Sequence, residues 1–368
     1  MKVGVDGRSL ATAGAGRGVA HYTSALLGAL TRAYPEDEWH VILVGDRGVD
    51  PLLPPNLHIH RVRRPPRLVH AAGALSGRPR LDKFARGPLD VFWAHAPAPF
   101  GVSQDLPLAL TLHDLSWEER PGDFTRYERA WHALARPQRL ARSAARVMTV
   151  SRFTREAALR EWALDPARVV AVPSGVARLP VPGAEAIARA RENAGLREHY
   201  LLFVGALEPR TAPDVLARAY AQARESGLDA DLVFVGEGRL STALAGPGIH
   251  LLGGVDDQTR DALCAGALAL VLPSWLEGFG LPPLEALALG TPSVLSDLPV
   301  YAETIGDGAL RFTPGDEDGL ARALLAIAAD PALRAGLLER GRAASAELTW
   351  ERTARHTREV LAKAAGMA

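Results

Sequence analysis

The sequence predicts an α/β protein of two Rossmann-like doubly wound domains, each a parallel sheet covered by helices. Short apolar runs alternate with longer Ala/Leu/Arg-rich stretches along all 368 residues, the pattern of parallel strands joined by helical crossovers. The length suits two domains of ordinary size. The alternation is interrupted between Pro173 and Gly183, where Ser174-Gly175-Val176 and three prolines, Pro173, Pro180 and Pro182, fall together. The domains are therefore placed at residues 1–175 and 176–348, with 349–368 a helical stretch beyond the last expected strand.

Seven strands are expected in the first half: Val3–Val5, Val41–Val44, His58–Val62, Val91–Ala94, Leu108–Leu112, Val147–Val150 and Val169–Val172. The first is followed by Gly14-Ala15-Gly16-Arg17-Gly18-Val19-Ala20, which opens a helix whose apolar face holds Leu26, Leu27 and Leu30. Five more are expected in the second half: Leu201–Val204, Leu232–Val235, His250–Leu252, Leu268–Leu272 and Ser293–Leu295. In such sheets ligands bind at the carboxyl ends of strands, so two domains predict a site in the cleft between them.

Forty-eight per cent hydrophobic and 23% charged residues argue against disorder. No stretch approaches a membrane span, and Met1-Lys2-Val3-Gly4-Val5-Asp6 begins a strand at once, so the expectation is a cytoplasmic protein without a signal peptide. The single cysteine, Cys264, excludes an intramolecular disulfide and a cysteine metal cluster. The 42 basic and 42 acidic residues balance, but residues 1–175 carry +7 and the remainder −7. The positive charge is densest over residues 61–86, where Arg61, Arg63, Arg64, Arg67, Arg78, Arg80, Lys83 and Arg86 are interleaved with Leu68 and Leu75. That segment fits either a peripheral contact with an anionic membrane or a solvated loop. Neutral total charge and the lack of an aromatic, basic platform disfavour nucleic acid. No Asp-x-Asp ends a strand and no histidine pair is read as ligand-spaced with a carboxylate, so no metal site is expected.

The most informative run is Ser274-Trp275-Leu276-Glu277-Gly278-Phe279-Gly280-Leu281-Pro282-Pro283-Leu284-Glu285, a glycine loop between a buried strand and a helix ending at Gly290. Gly278 and Gly280 let backbone amides approach a ligand, and the first amides of the helix favour a phosphate. Glu285 is expected in the first helical turn and Glu277 in the loop, two carboxylates suited to ribose and sugar hydroxyls. Solvated glutamates on an ordinary strand-loop-helix are the plainer alternative. Arg210, after the first strand of the second half, suits a diphosphate. His113 and Asp114 end the strand Leu108–Leu112 as a general base, a hydrogen-bonding partner or a structural pair. The loop Gly14, Gly16, Gly18 admits an NAD-binding reading with Asp46 as the ribose acid, against which its spacing counts.

Glu277 and Glu285, with seven residues between them that include Gly-Phe-Gly-Leu-Pro, resemble the E-x7-E signature of retaining glycosyltransferases of family 4 with the GT-B fold. Val204-Gly205-Ala206-Leu207-Glu208-Pro209-Arg210, Val235-Gly236-Glu237-Gly238, Thr111-Leu112-His113-Asp114, Val150-Ser151-Arg152-Phe153-Thr154 and Pro173-Ser174-Gly175-Val176 are similar to further motifs of that family, in its order. The resemblance spans nearly the whole chain. It implies a C-terminal helix crossing back to the first domain and a hexosyltransferase acting without a metal. A nucleotide-diphosphate sugar would be donor rather than cofactor, GDP-mannose favoured and a UDP-sugar the alternative, with a hydroxyl of a glycan, lipid or small molecule as acceptor. By resemblance His113, Arg210 and Glu277 serve the transferred sugar and leaving phosphate. Glu285, Gly278, Phe279, Gly280, Leu281, Glu237 and Gly205 hold the donor, and Gly16, Gly18, His95 and Asp114 face the acceptor or sugar.

One position departs from the family pattern. Thr211 stands where a second cation, lysine, usually follows the arginine, and the loss of a phosphate contact is the expectation there, with Arg17 or Arg239 as substitutes. Two other classes therefore stay open: a GT-B phosphorylase or sugar-nucleotide epimerase, and a non-catalytic sugar-nucleotide-binding protein.

Overall fold

The computed structural model describes residues 1–11, 18–46, 48, 53–54, 56–177 and 179–367. The chain divides into two compact units, Met1–Gly175 with Leu348–Ala368, and Val176–Glu347. The residues from 348 onward thus fold with the first unit.

In the first unit seven strands form one parallel sheet: β1 (Lys2–Asp6), β2 (Glu38–Val44), β3 (His58–Val62), β4 (Val91–Ala94), β5 (Leu108–Leu112), β6 (Arg146–Thr149) and β7 (Val169–Ala171). Their order is β3-β2-β1-β4-β5-β6-β7, so the chain reverses direction across the sheet between β1 and β4. The central strands are apolar on both faces because helices cover both. Trp93 and Phe92 are fully buried on β4, and the Trp93 indole donates to Thr111 Oγ1 at 2.9 Å.

The helix Trp350–Ala364 packs on the helix Gly18–Ala33 within this unit. Thr349 caps it, its hydroxyl accepting from Arg352 N at 3.2 Å. Its buried face, Trp350, Thr353, Ala354, Thr357, Val360, Leu361 and Ala364, follows the helical repeat. Thr353 Oγ1 donates to Pro173 O at 2.7 Å, and Arg358 Nε meets the buried Asp37 carboxylate at 2.7 Å. Gly175 lies so close to the Trp350 backbone that a Cβ would overlap it.

The second unit holds a six-stranded parallel sheet, β8 (Tyr200–Val204), β9 (Asp231–Val235), β10 (Ile249–Gly253), β11 (Ala269–Leu272), β12 (Ser293–Ser296) and β13 (Ala309–Phe312). The order is β10-β9-β8-β11-β12-β13, again reversing at the centre, between β8 and β11. Twelve of the thirteen strands were expected from the sequence. β13 was not: its Ala-Leu-Arg-Phe pairs with β12 alone, and Arg311, which pairs with Asp297 (3.3 Å) and Gly306 O, interrupts the continuous apolarity of a central strand.

Among the described residues no helix is long and apolar enough to cross a membrane. In the basic segment, Arg61, Arg63, Arg64, Arg67, Arg78, Lys83 and Arg86 are exposed. Leu68 and Leu75 of the helix Pro66–Ser76 are 66% and 82% exposed beside them.

Candidate active site

Both units place their chemistry outside the carboxyl ends of the strands flanking the chain reversal, where open α/β sheets bind ligands. In the second unit Arg210 lies in the 3-10 turn Pro209–Thr211 after β8, and Ser274 to Gly280 form the loop after β11. The two loops are tied together. Trp275 N donates to Arg210 O at 2.9 Å, and Arg210 Nη1 donates to Leu276 O at 3.1 Å. Arg210 Nη1 also stands 3.4 Å from Glu277 Oε1, and the buried Ser274 hydroxyl donates to that oxygen at 2.9 Å. The guanidinium and the carboxylate therefore form one preorganised pair, with side chains 27% and 19% exposed.

Tyr301 lies near enough to this pair to be affected by both its charges. It is fully buried, its hydroxyl has no partner among the described residues, and burial, reinforced by the Glu277 charge, pushes its pKa well above the usual phenol value. The ring also sits against Gly280, whose φ is +90°, so a Cβ at that position would meet both strain and the ring.

The helix Leu281–Ala288 begins one residue before the proline pair, which corrects two expectations. Glu285 is its fifth residue, in the second turn. Pro282 and Pro283 have no N–H, so anion-binding amides can come only from residues up to Leu281. Phe279 is buried, Leu281 half-buried. Glu285 lines a small recess with Val204, Arg260, Cys264 and Pro282. Burial works against the Arg260 charge, yet Glu285, Asp261 and Asp257 raise its pKa above the ordinary arginine value. Burial pushes the Cys264 thiol up to about 12, with Glu285 adding to the effect.

Thr211 points inward. It is 5% exposed, and its hydroxyl bonds the carbonyls of Ala206 and, at 2.9 Å, Glu208. The position expected to carry a missing phosphate contact is a buried tie inside the loop. Of the proposed substitute cations, Arg239 is paired with Glu208 (2.5 Å), and Arg17 lies outside the described residues. Gly205 N donates to Val235 O (3.0 Å) and Leu207 N to Glu237 O (3.0 Å). Side chains at Gly236 or Gly238 would overlap the Gly205 or Leu207 carbonyl, so these glycines serve loop-on-loop packing. The Glu237 side chain is exposed, its carboxylate over Gly253 and Gly254.

In the first unit, Asp6 at the end of β1 is fully buried. Its carboxylate accepts from Arg8 N (3.1 Å) and Arg8 Nε (2.8 Å) and lies 4.0 Å from His95 Nε2. Burial raises the Asp6 pKa, but Arg8 first and His95 second more than reverse that, leaving it below the ordinary value. Ser9 Oγ is 3.1 Å from His95 Nε2, and His95 Nδ1 is buried without a partner among the described residues. Burial lowers the His95 pKa to about 4, so the ring is neutral.

His113 Nε2 donates to His95 O at 2.8 Å, which fixes the Nε2–H tautomer and leaves Nδ1 as an acceptor. Burial also lowers the His113 pKa, and Tyr22 meets the ring edge-on at 4.8 Å. Asp114 Oδ1 accepts from Ser116 N (2.8 Å) and Ser116 Oγ (2.6 Å), a turn that shapes the loop after β5. Gly18, the first residue of its helix, is exposed, with no atom of the described residues near the place of a Cβ, while Gly16 lies outside the described residues.

The sequence reading missed Asp6, Arg8 and Ser9, although a carboxylate at the end of the first strand followed by an arginine was a usable signal. It also missed Ser274, Tyr301 and Arg260. The expectation that no histidines stand with a carboxylate at ligand spacing is overturned in the first unit, where Glu38, His40 and His58 converge.

Two family models match successive parts of the chain: Glycosyltransferase Family 4 over residues 17–178 and Glycosyl transferases group 1 over residues 167–344. The O-antigen chain mannosyltransferase B of Escherichia coli is 30% identical over 308 residues, covering 79% of this chain and 78% of its own. The MMP alpha-(1->4)-mannosyltransferase of Mycolicibacterium hassiacum is 30% identical over 320 residues, 80% of this chain and 74% of its own. Among solved structures, Anabaena HepE in complex with UDP and glucose superposes with a TM-score of 0.73 at 17% identity, covering 98% of this chain and 99% of its own. WaaG, a glycosyltransferase involved in lipopolysaccharide biosynthesis, gives 0.72 at 17% identity over the same shares of the two chains. With two parallel Rossmann-like sheets, matching family models over both halves and these relatives, the chain belongs to the family-4 glycosyltransferases of the GT-B fold.

Proposed function

We propose that the chain transfers a hexose, with mannose favoured, from a nucleotide-diphosphate sugar to an acceptor hydroxyl, retaining the anomeric configuration and needing no metal in the transfer. The observation that carries this reading is the Arg210–Glu277 pair held by Ser274 and the loop backbone. A guanidinium 3.4 Å from a carboxylate can turn to a diphosphate while the carboxylate takes sugar hydroxyls. Amides from Gly278 to Leu281 supply further donors ahead of the prolines. Glu285, in its recess at the end of β8, takes the ribose, with the Arg260 guanidinium lining the same recess. Glu237 and Gly205 border the base.

In the first unit the neutral His113 offers Nδ1 as an acceptor to a sugar hydroxyl. Gly16, Gly18, His95 and Asp114 belong to the acceptor side, where His95 and Asp114 act by shaping the backbone. The leaving phosphate takes the acceptor proton, so no separate base is required. The relatives' names favour mannose, and GDP-mannose is the preferred donor with a UDP-sugar second. The exposed arginines and leucines of residues 61–86 support a peripheral contact with anionic lipid, checked by cosedimentation with anionic against neutral vesicles.

Calorimetric binding of UDP-, GDP- and ADP-sugars in EDTA, with Glu285→Ala alongside, tests the donor. One nucleotide sugar bound tightly, and lost in the variant, supports the reading; no binding by any refutes it. A second reading, donor binding without transfer, is favoured by Thr211, whose buried hydroxyl leaves this loop with Arg210 as its cation. Donor binding with no turnover across an acceptor panel would select it.

A further inference from the structure

The remaining cluster of metal-ligating side chains lies away from these loops, at the amino ends of β2 and β3. Parallel pairing sets His40 opposite His58 and Ile42 opposite His60, and Lys2 of β1 opposite Glu38. Residues two apart share a face of a strand, so Glu38, His40, His58 and His60 project together beside the sheet's edge strand. One ligand atom from each of Glu38, His40 and His58 lies within 4.8 Å of the others. His40 Nε2 is 3.3 Å from Glu38 Oε2, and its other nitrogen, Nδ1, is 2.9 Å from His60 Nε2. The three rings are stacked, His40 on His58 at 4.8 Å and on His60 at 5.2 Å.

His40 is 4% exposed, whereas His58 is exposed and Glu38 half-exposed, so an ion has a route in. The proton between His40 and His60 can sit on either ring. On His40 Nδ1, it leaves the Nε2 lone pair facing the Glu38 carboxylate, two acceptors that a cation between them would satisfy.

We propose that Glu38, His40 and His58 bind one divalent transition ion of the zinc class, with water completing the shell and His60 orienting His40 from behind. Two imidazoles and a carboxylate are a donor set for zinc rather than for magnesium or calcium. The hydrogen bond to the remaining ring nitrogen is the usual outer-shell support of such a ligand. The ion would clip edge strand β3 to β2, a structural role remote from donor chemistry and independent of whether transfer needs a metal. Lys2, 3.2 Å from Glu38, is the cation it would displace.

The test uses the full chain without a histidine tag, freed of metal by chelator, titrated calorimetrically with zinc and with magnesium while Tm is followed. The expected result is about one zinc per chain, a raised Tm and no response to magnesium. His58→Ala, an exposed change that leaves the core intact, should weaken zinc by at least about tenfold, and His60→Phe by about tenfold through loss of the supporting bond. Absence of zinc binding overturns the proposal. So does zinc binding that His58→Ala and Glu38→Gln leave unchanged, because the ion then lies on other histidines. Donor binding measured in EDTA is unaffected by either outcome.

Discussion

Replacing Arg8 by methionine should remove more stability from the first unit than any other single change near its strand ends, and the loss should shrink in acid. The Asp6 carboxylate is fully buried and its cation is the Arg8 guanidinium at 2.8 Å. Methionine keeps most of the apolar stem and strands the charge, a change that costs about 3–5 kcal/mol. Ala96 O also loses its donor, Arg8 Nη2 at 3.0 Å, worth about 1 kcal/mol.

The pH dependence follows from the sign of the Asp6 shift. In the parent its folded pKa lies below the unfolded one, so the stabilisation is present above about pH 4 and is lost as pH falls through the folded value. Without Arg8, burial dominates and the carboxyl titrates above its unfolded value. Removing Arg8 also relieves its depression of the His95 pKa. Both effects make the variant bind protons more readily when folded, so its deficit narrows as the pH drops. Urea unfolding followed by tryptophan fluorescence reads this directly, because six of the seven tryptophans belong to the first unit. A deficit of about 4 kcal/mol at pH 7.5 that falls by half or more at pH 5 is expected. A deficit below about 1 kcal/mol, or one constant over that range, would refute the argument.

Three further outcomes test the second unit and the backbone. Thr211→Lys should lower Tm and leave the transfer rate no higher, since it breaks the ties to Ala206 and Glu208 and starts a cation from a buried site; a faster enzyme would show that the side chain can reach the phosphates. Gly280→Ala should cost about 2 kcal/mol or more, from a φ of +90° and the Tyr301 ring, and should weaken donor binding; unchanged calorimetric affinity would exclude this loop from the donor site. Ala163→Gly should add up to about 1 kcal/mol, because the exposed Ala163 ends the helix Arg152–Trp162 at φ +48°; a lower Tm would contradict it.

Most of the fold was legible because central parallel strands, buried on both faces, are written as apolar runs such as Val91–Ala94, Leu108–Leu112, Asp231–Val235 and Ala269–Leu272 among Ala/Leu/Arg-rich helices. The exception, β13, is an edge strand carrying Arg311, and it follows Gly306-Asp307-Gly308, which reads as a turn. The cluster of Glu38, His40, His58 and His60 was invisible for a different reason. Its halves lie about twenty residues apart, and only the pairing register of β2 and β3 joins them. A search for ligand spacing along one segment cannot find a site assembled across a sheet.

Direction is what the motifs left out. Thr211 was read as a gap in a row of phosphate contacts, because the chain position next to Arg210 was assumed to face the same way. In a 3-10 turn successive residues are rotated by about a third of a turn, so Arg210 can face Glu277 while Thr211 faces the loop interior. The glycines carry the same lesson. Gly280 was read as room for a ligand, but a side chain there would meet Tyr301, and the space beside Gly236 and Gly238 is likewise taken by the neighbouring loop. A glycine-rich loop at a strand end thus has two sufficient causes, ligand approach and internal packing, and substitution separates them. Gly236→Ala should lower Tm by disturbing the contact with Gly205, whereas a position that serves the donor should also lower affinity in the protein that remains folded.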